Sequence, residues 1–237
     1  MSNIKETGRI IIKEDHVGNI VPQKMMELNN DIYIEGNVKI SGGILGKNLF
    51  INGKNVTITK SVHVLENINI NTKYEQCNIE STIYSGTSII TDETDAKKIK
   101  LKIQGDIYTK KINLNNEYIV GNIFCDNAII NNSIVIGNIF SNSNVQINNS
   151  LIGTIKSKNL HIGNNVGFLY PYGIAEENIQ MNNDNYPVCV MFSDWKLKNN
   201  NNLKFNELNL AFELELNDID NNVEYENAIE IYKNKSI

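Results

Sequence analysis

Apolar residues recur along this chain in pairs two positions apart, and the pairs return at a fixed interval. Glycines stand at 105, 121, 137 and 153, each 16 residues after the one before. Two residues after each comes an isoleucine: Ile107, Ile123, Ile139 and Ile155. From the second glycine onward the preceding residue is also apolar (Val120, Ile136, Ile152). Between the glycines lie the pairs Ile112/Leu114, Ala128/Ile130, Val145/Ile147 and Leu160/Ile162. A spacing of two puts both side chains on one face of a strand. A helix would need apolar residues at three and four, and it would favour β-branched Ile and Val less.

A repeat this regular predicts a solenoid. Three short strands per repeat, each aiming its apolar pair inward, close a coil around a triangular core. Successive coils then pair through parallel main-chain hydrogen bonds, about 4.8 Å apart. After each apolar pair comes a double asparagine: Asn115-Asn116, Asn131-Asn132, Asn148-Asn149 and Asn164-Asn165. These and the glycines suit corners, because Gly takes positive φ freely and Asn tolerates it better than most residues. Stacked asparagines can also hydrogen-bond along their column. That structural role accounts for them, and no ligand is assigned to them.

The first half follows the rule more loosely, through Ile32/Ile34, Val38/Ile40, Leu49/Ile51, Val56/Ile58, Val62/Val64 and Ile68/Ile70. Three such pairs make a coil of 17 to 19 residues. The register blurs between Asn71 and Lys100, where the polar segment Thr91 to Lys98 reads as a loop bulging from the solenoid. From Asp31 to about Val166 the pattern predicts roughly eight coils. The expected fold is an all-β, single-stranded parallel β-helix over 31–167, behind an N-terminal segment over 1–30.

Past Gly167 the pattern changes. Phe168, Tyr170, Pro171 and Tyr172 interrupt it, and Val188 to Phe192 reads as a buried strand. Leu203, Phe205, Leu208, Leu210, Phe212, Leu214 and Leu216 alternate with polar residues as strands with one apolar face. Residues 168–237 are therefore expected to be a β-rich cap or accessory element, since solenoid ends expose unpaired strand edges.

Composition narrows the partners. A net charge of −5 with 21% charged residues is mildly acidic. Nucleic acid is not expected as a partner, because phosphate binding needs a concentrated Lys/Arg surface. The one local lysine cluster (Lys97, Lys98, Lys100, Lys102) follows Asp92, Glu93 and Asp95 and reads as a solvated loop. No signal peptide and no spanning apolar run is visible, so a cytoplasmic protein without a transmembrane segment is expected. Cys77, Cys125 and Cys189 form neither a disulfide framework nor a zinc pattern.

The units Gly121-Asn122-Ile123, Gly137-Asn138-Ile139 and Gly153-Thr154-Ile155 resemble the turns of bactofilins, bacterial cytoskeletal proteins. The resemblance covers about 105–166 well and 32–104 loosely. It implies a right-handed β-helix that polymerises end to end without nucleotide and serves as a scaffold for envelope-linked processes, with envelope-associated proteins as partners. One departure is that residues 168–237 read as ordered and apolar, where bactofilins carry short disordered tails. A folded cap would block stacking at that end.

Enzyme readings on this fold find little to build on. Ile162 to Gly167 fits one hexapeptide unit of the left-handed acyltransferases, but no tandem copies follow. Such enzymes use a histidine general base, whereas alternation points His63 and His161 outward to solvent. A three-histidine zinc site would need a spacing that His16, His63 and His161 lack. Gly42-Gly43-Ile44-Leu45-Gly46-Lys47 lacks the spacing of a phosphate loop and reads as coil corners. No catalytic, cofactor-binding or metal residue is expected. The expected role is a non-enzymatic scaffold that self-associates through its coil ends, as a dimer or filament. The alternative is a binding or adaptor β-helix acting through its C-terminal element, with a hexapeptide-type acyltransferase behind it.

Overall fold

In a computed structural model, the paired isoleucines form short strands whose inward residues stack from coil to coil. The structure describes residues 4–6, 8–21, 29–71, 76–91, 101–164, 166–168, 174–181 and 188–189. The loop expected over Thr91 to Lys98 lies almost wholly outside these residues, as does most of 168–237. The described chain is nearly all parallel strand, stacked as a solenoid of about seven turns.

Each coil contributes a strand to each of three faces. The first face runs through β2 (Arg9–Ile12), β4 (Asp31–Ile34), β7 (Leu49–Ile51), β10 (Asn67–Ile70), β13 (Ser88–Thr91) and β16 (Lys111–Asn115). The second runs through β3 (His16–Val17), β5 (Val38–Ser41), β8 (Asn55–Ile58), β11 (Gln76–Ile79), β14 (Leu101–Gln104) and β17 (Glu117–Val120). The third runs through β6 (Ile44–Gly46), β9 (Val62–Val64), β12 (Ile83–Ser85) and β15 (Ile107–Tyr108). Beyond these, the strands run on through the corners. β18 (Ile123–Asn131), β19 (Ile134–Asn148) and β20 (Ser150–Ile162) each pass from one face to the next.

The ladders extend past residues 31 and 167 at both ends. β2 and β3 pair with β4 and β5, so Ile10 and Ile12 stand in register with Ile32 and Ile34. At the other end β21 (Val166–Phe168), β22 (Ile174–Met181) and β23 (Val188–Cys189) continue the parallel pairing.

The core is a set of unbroken columns. Ile107, Ile123, Ile139 and Ile155 are each in register with the next and fully buried. Ile40, Ile58, Ile79, Ile103 and Ile119 do the same on the second face. At roughly 25 cal/mol per Å² of apolar surface removed from water, such columns are the main stabilising term.

Corners follow the chemistry of their residues. Asn116, Asn132 and Asn149 hold φ of 68°, 48° and 45° where the chain turns from the first face to the second. Their side chains link the coils: Asn132 Nδ2 donates to Asn115 Oδ1 at 2.8 Å, and Asn149 Nδ2 to Asn132 Oδ1 at 3.3 Å. At the second corner a Cβ on Gly121, Gly137 or Gly153 would collide with the carbonyl of the glycine one coil before. At the third corner Asn144 donates to Asn127 and Asn159 to Asn144, both at 2.9 Å.

Candidate functional site

The outward residues also form columns, and these are the surface that the fold offers. On the third face His63, Tyr84, Tyr108, Phe124 and Phe140 stand one above another. Their ring centroids are 4.3, 4.8, 4.7 and 5.1 Å apart and the planes lie within 20° of parallel. Because neighbouring rings cover each other's faces, only ring edges meet solvent. The stack therefore stabilises the coils and leaves no free ring face along its middle for a planar ligand to stack on. The repeat itself carries the signal for this column, since Tyr108, Phe124 and Phe140 each lie three residues after a corner glycine. A shorter stack, Tyr33 on Phe50 at 4.7 Å, sits on the first face under the guanidinium of Arg9.

The three histidines fall on different parts of the solenoid. His16 is on the N-terminal strand β3, His63 ends the aromatic stack, and His161 points outward from the first face beside Gln146. Among the described residues no three of His, Cys, Asp and Glu come together as metal ligands. Gly42 is a corner, as expected: a Cβ there would overlap the Gly18 carbonyl.

One chemistry-bearing group was not singled out from the sequence. Glu117 follows the Asn115-Asn116 corner and points inward with Ile119, in the column Val56, Cys77, Leu101, Glu117. It is fully buried, and neither carboxyl oxygen has a hydrogen-bond partner. Burial drives its pKa well above the ordinary carboxylate value; the Thr91 hydroxyl and the Leu101 backbone, near it but short of good hydrogen-bond geometry, oppose that rise without cancelling it. The core thus favours the protonated acid over the carboxylate. Cys77, in the same column, has its thiol pKa raised by burial and then by Glu117. Cys125 is pushed up to about 12, mainly by burial. Both are inert thiols rather than nucleophiles. The next coils place Ser133 and Ser150 where Glu117 stands, and the Ser133 hydroxyl accepts the Glu117 N–H at 3.1 Å.

Among the described residues the N-terminal end is closed on one face only. β1 (Ile4–Glu6) pairs antiparallel with β2 and interrupts the parallel stacking on the first face. On the second and third faces the ladder starts at β3 and at the Ile20–Ile44 bridge, with no earlier strand on either among the described residues. Val17 is 88% exposed and Val21 47%, so this open edge is also apolar.

Among the described residues no helix is long and apolar enough to cross a membrane. No protein-family model, no curated protein and no solved structure matches this chain.

Proposed function

We propose that this protein is a non-enzymatic, cytoplasmic structural scaffold, bactofilin-like in kind, that self-associates through its coil ends. The observation that carries the reading is the N-terminal edge. Among the described residues no earlier strand pairs with β3 or with the Ile20 bridge, so two faces start at an open edge, flanked by exposed Val17 and Val21. Such an edge is a template for strand addition. Two identical edges meeting about a twofold axis pair isologously, which gives a dimer. Stacking at the other end as well would give a filament. The regular columns support a load-carrying rod, and envelope-associated proteins are the partners that the bactofilin likeness suggests.

Sedimentation and electron microscopy of the purified full-length protein, without nucleotide, test this. Dimers or filaments are expected, and Val17→Lys should dissociate them, because an edge lysine opposes strand pairing. Val17 is too exposed for that change to unfold the chain. A full-length protein that stays monomeric at high concentration overturns the scaffold and favours the adaptor reading.

A further inference from the structure

On the second face one inward column is apolar in every coil but the first. From Ile40 through Ile79 and Ile119 to Ile152 and Phe168, each member stands in register with the next. At the N-terminal end the column begins with His16, the partner of Ile40. Parallel partners in register project to the same side, so the imidazole takes the slot that isoleucine fills one coil on. Alternation agrees, because the next residue, Val17, pairs with Ser41 and both are exposed. The other inward positions of this layer are Ile12 and Ile20, in register with Ile34 and Ile44. Among the described residues no strand is stacked on His16 or Ile20, and this is the edge where a second copy would add.

Histidine differs from isoleucine in that slot by carrying a titratable charge. Imidazole is the side chain that ordinarily changes charge between about pH 5 and 8. At an open end a charged ring keeps water around it. With a second coil laid over it, the ring is enclosed with Ile12, Ile20 and Ile40, where a neutral imidazole costs little and an unpaired imidazolium costs much. The nearby charged groups do not supply a partner inside. Glu14 and Asp15 lie in the exposed corner before β3, and Asp15 accepts the Lys39 N–H at 2.7 Å. Lys39 itself points outward from β5, and Lys13 pairs with Glu35 in the corner between the first and second faces at 3.3 Å. An inward-pointing charge is one of the devices that keep strand edges from pairing.

We propose that His16 gates association at the N-terminal end: neutral, it lets a second copy stack on the first coil, and protonated, it blocks that stacking. The inference rests on the scaffold reading, whose open edge it governs. An interface that excludes the imidazolium weakens as pH falls, by up to about tenfold per pH unit for each ring that must lose a proton. In a twofold dimer both copies bring a His16 to the interface, so the two effects multiply. Net charge alone gives the opposite trend. The −5 of this chain shrinks on acidification, which lessens repulsion between copies, so weakening in acid singles out a local group.

Sedimentation equilibrium of the full-length protein at about pH 7.5 and about pH 5.5, which bracket the ordinary imidazole range, tests this. The parent should need roughly tenfold more protein, or above, to assemble at the lower pH. His16→Ile puts the column's own residue in the slot and should assemble equally well at both. His16→Lys carries its charge at both and should stay monomeric, with the parent's β signal in circular dichroism. A parent that assembles as well in acid, a His16→Ile variant that keeps the acid loss, or a folded His16→Lys variant that assembles like the parent overturns the gate and leaves the scaffold standing. A parent that is monomeric at both pH values overturns the scaffold, and the gate with it.

Discussion

The carbonyl oxygen of Gly121 occupies the space that a Cβ on Gly137 would need, and Gly153 stands in the same relation to Gly137. The 16-residue glycine period is thus a packing requirement between coils as well as a turn preference within one. Gly137→Ala should cost about 1–3 kcal/mol, the usual range for overpacking a tight site. Thermal unfolding checks it. An alanine variant as stable as the parent would mean that these corners are not stacked in this way.

Ile139 lies between Ile123 and Ile155, fully buried in the third-face column. Ile139→Asp buries a carboxylate without a partner and should cost several kcal/mol. The matched surface change is Asn142→Ser. Asn142 is exposed and donates only to Asp126 Oδ1, at 3.0 Å, so the serine variant should stay within about 0.5 kcal/mol of the parent. Equal losses at both positions in denaturant titration would contradict the register.

Asn132 needs its side chain for two separate reasons, and two substitutions separate them. Its φ is 48°, and its amide bridges Asn115 and Asn149. Asn132→Gly loses the bridges and keeps the backbone relaxed, at about 1 kcal/mol. Asn132→Ala adds about 1–2 kcal/mol for a left-handed alanine. The alanine variant should therefore melt below the glycine variant, the reverse of their order at an ordinary strand position.

Glu117 makes stability depend on pH. Its folded pKa is raised above the roughly 4.3 of an unfolded glutamate, so over an interval of pH the folded chain keeps a proton that the unfolded chain has lost. Stability therefore falls as pH rises from about 4.3 toward the folded pKa, and the loss then levels off. Glu117→Gln removes this dependence. Its melting temperature should match the parent's most closely near pH 4 and exceed it increasingly as pH rises, until the folded pKa is passed. A difference that stays constant across that range would show that the buried carboxyl is not the cause.

Much of this molecule is written in its repeats. The pairs Ile112/Leu114 and Val145/Ile147, the corner glycines and the double asparagines determined a three-faced parallel solenoid. They did so because inward side chains, corner dihedrals and coil-to-coil hydrogen bonds all recur with the same period. The aromatic stack was equally legible in Tyr108, Phe124 and Phe140, though it shows only once the rows are aligned. Only the tertiary structure decided two other matters. Glu117 looks like a surface residue in the chain and is a core residue in the coil, because the corner asparagines set which side of the strand it faces. Alternation also places Tyr118, Ile134 and Leu151 outside the solenoid, but it cannot say whether outside means solvent. The structure has all three buried, which alternation alone could not foretell.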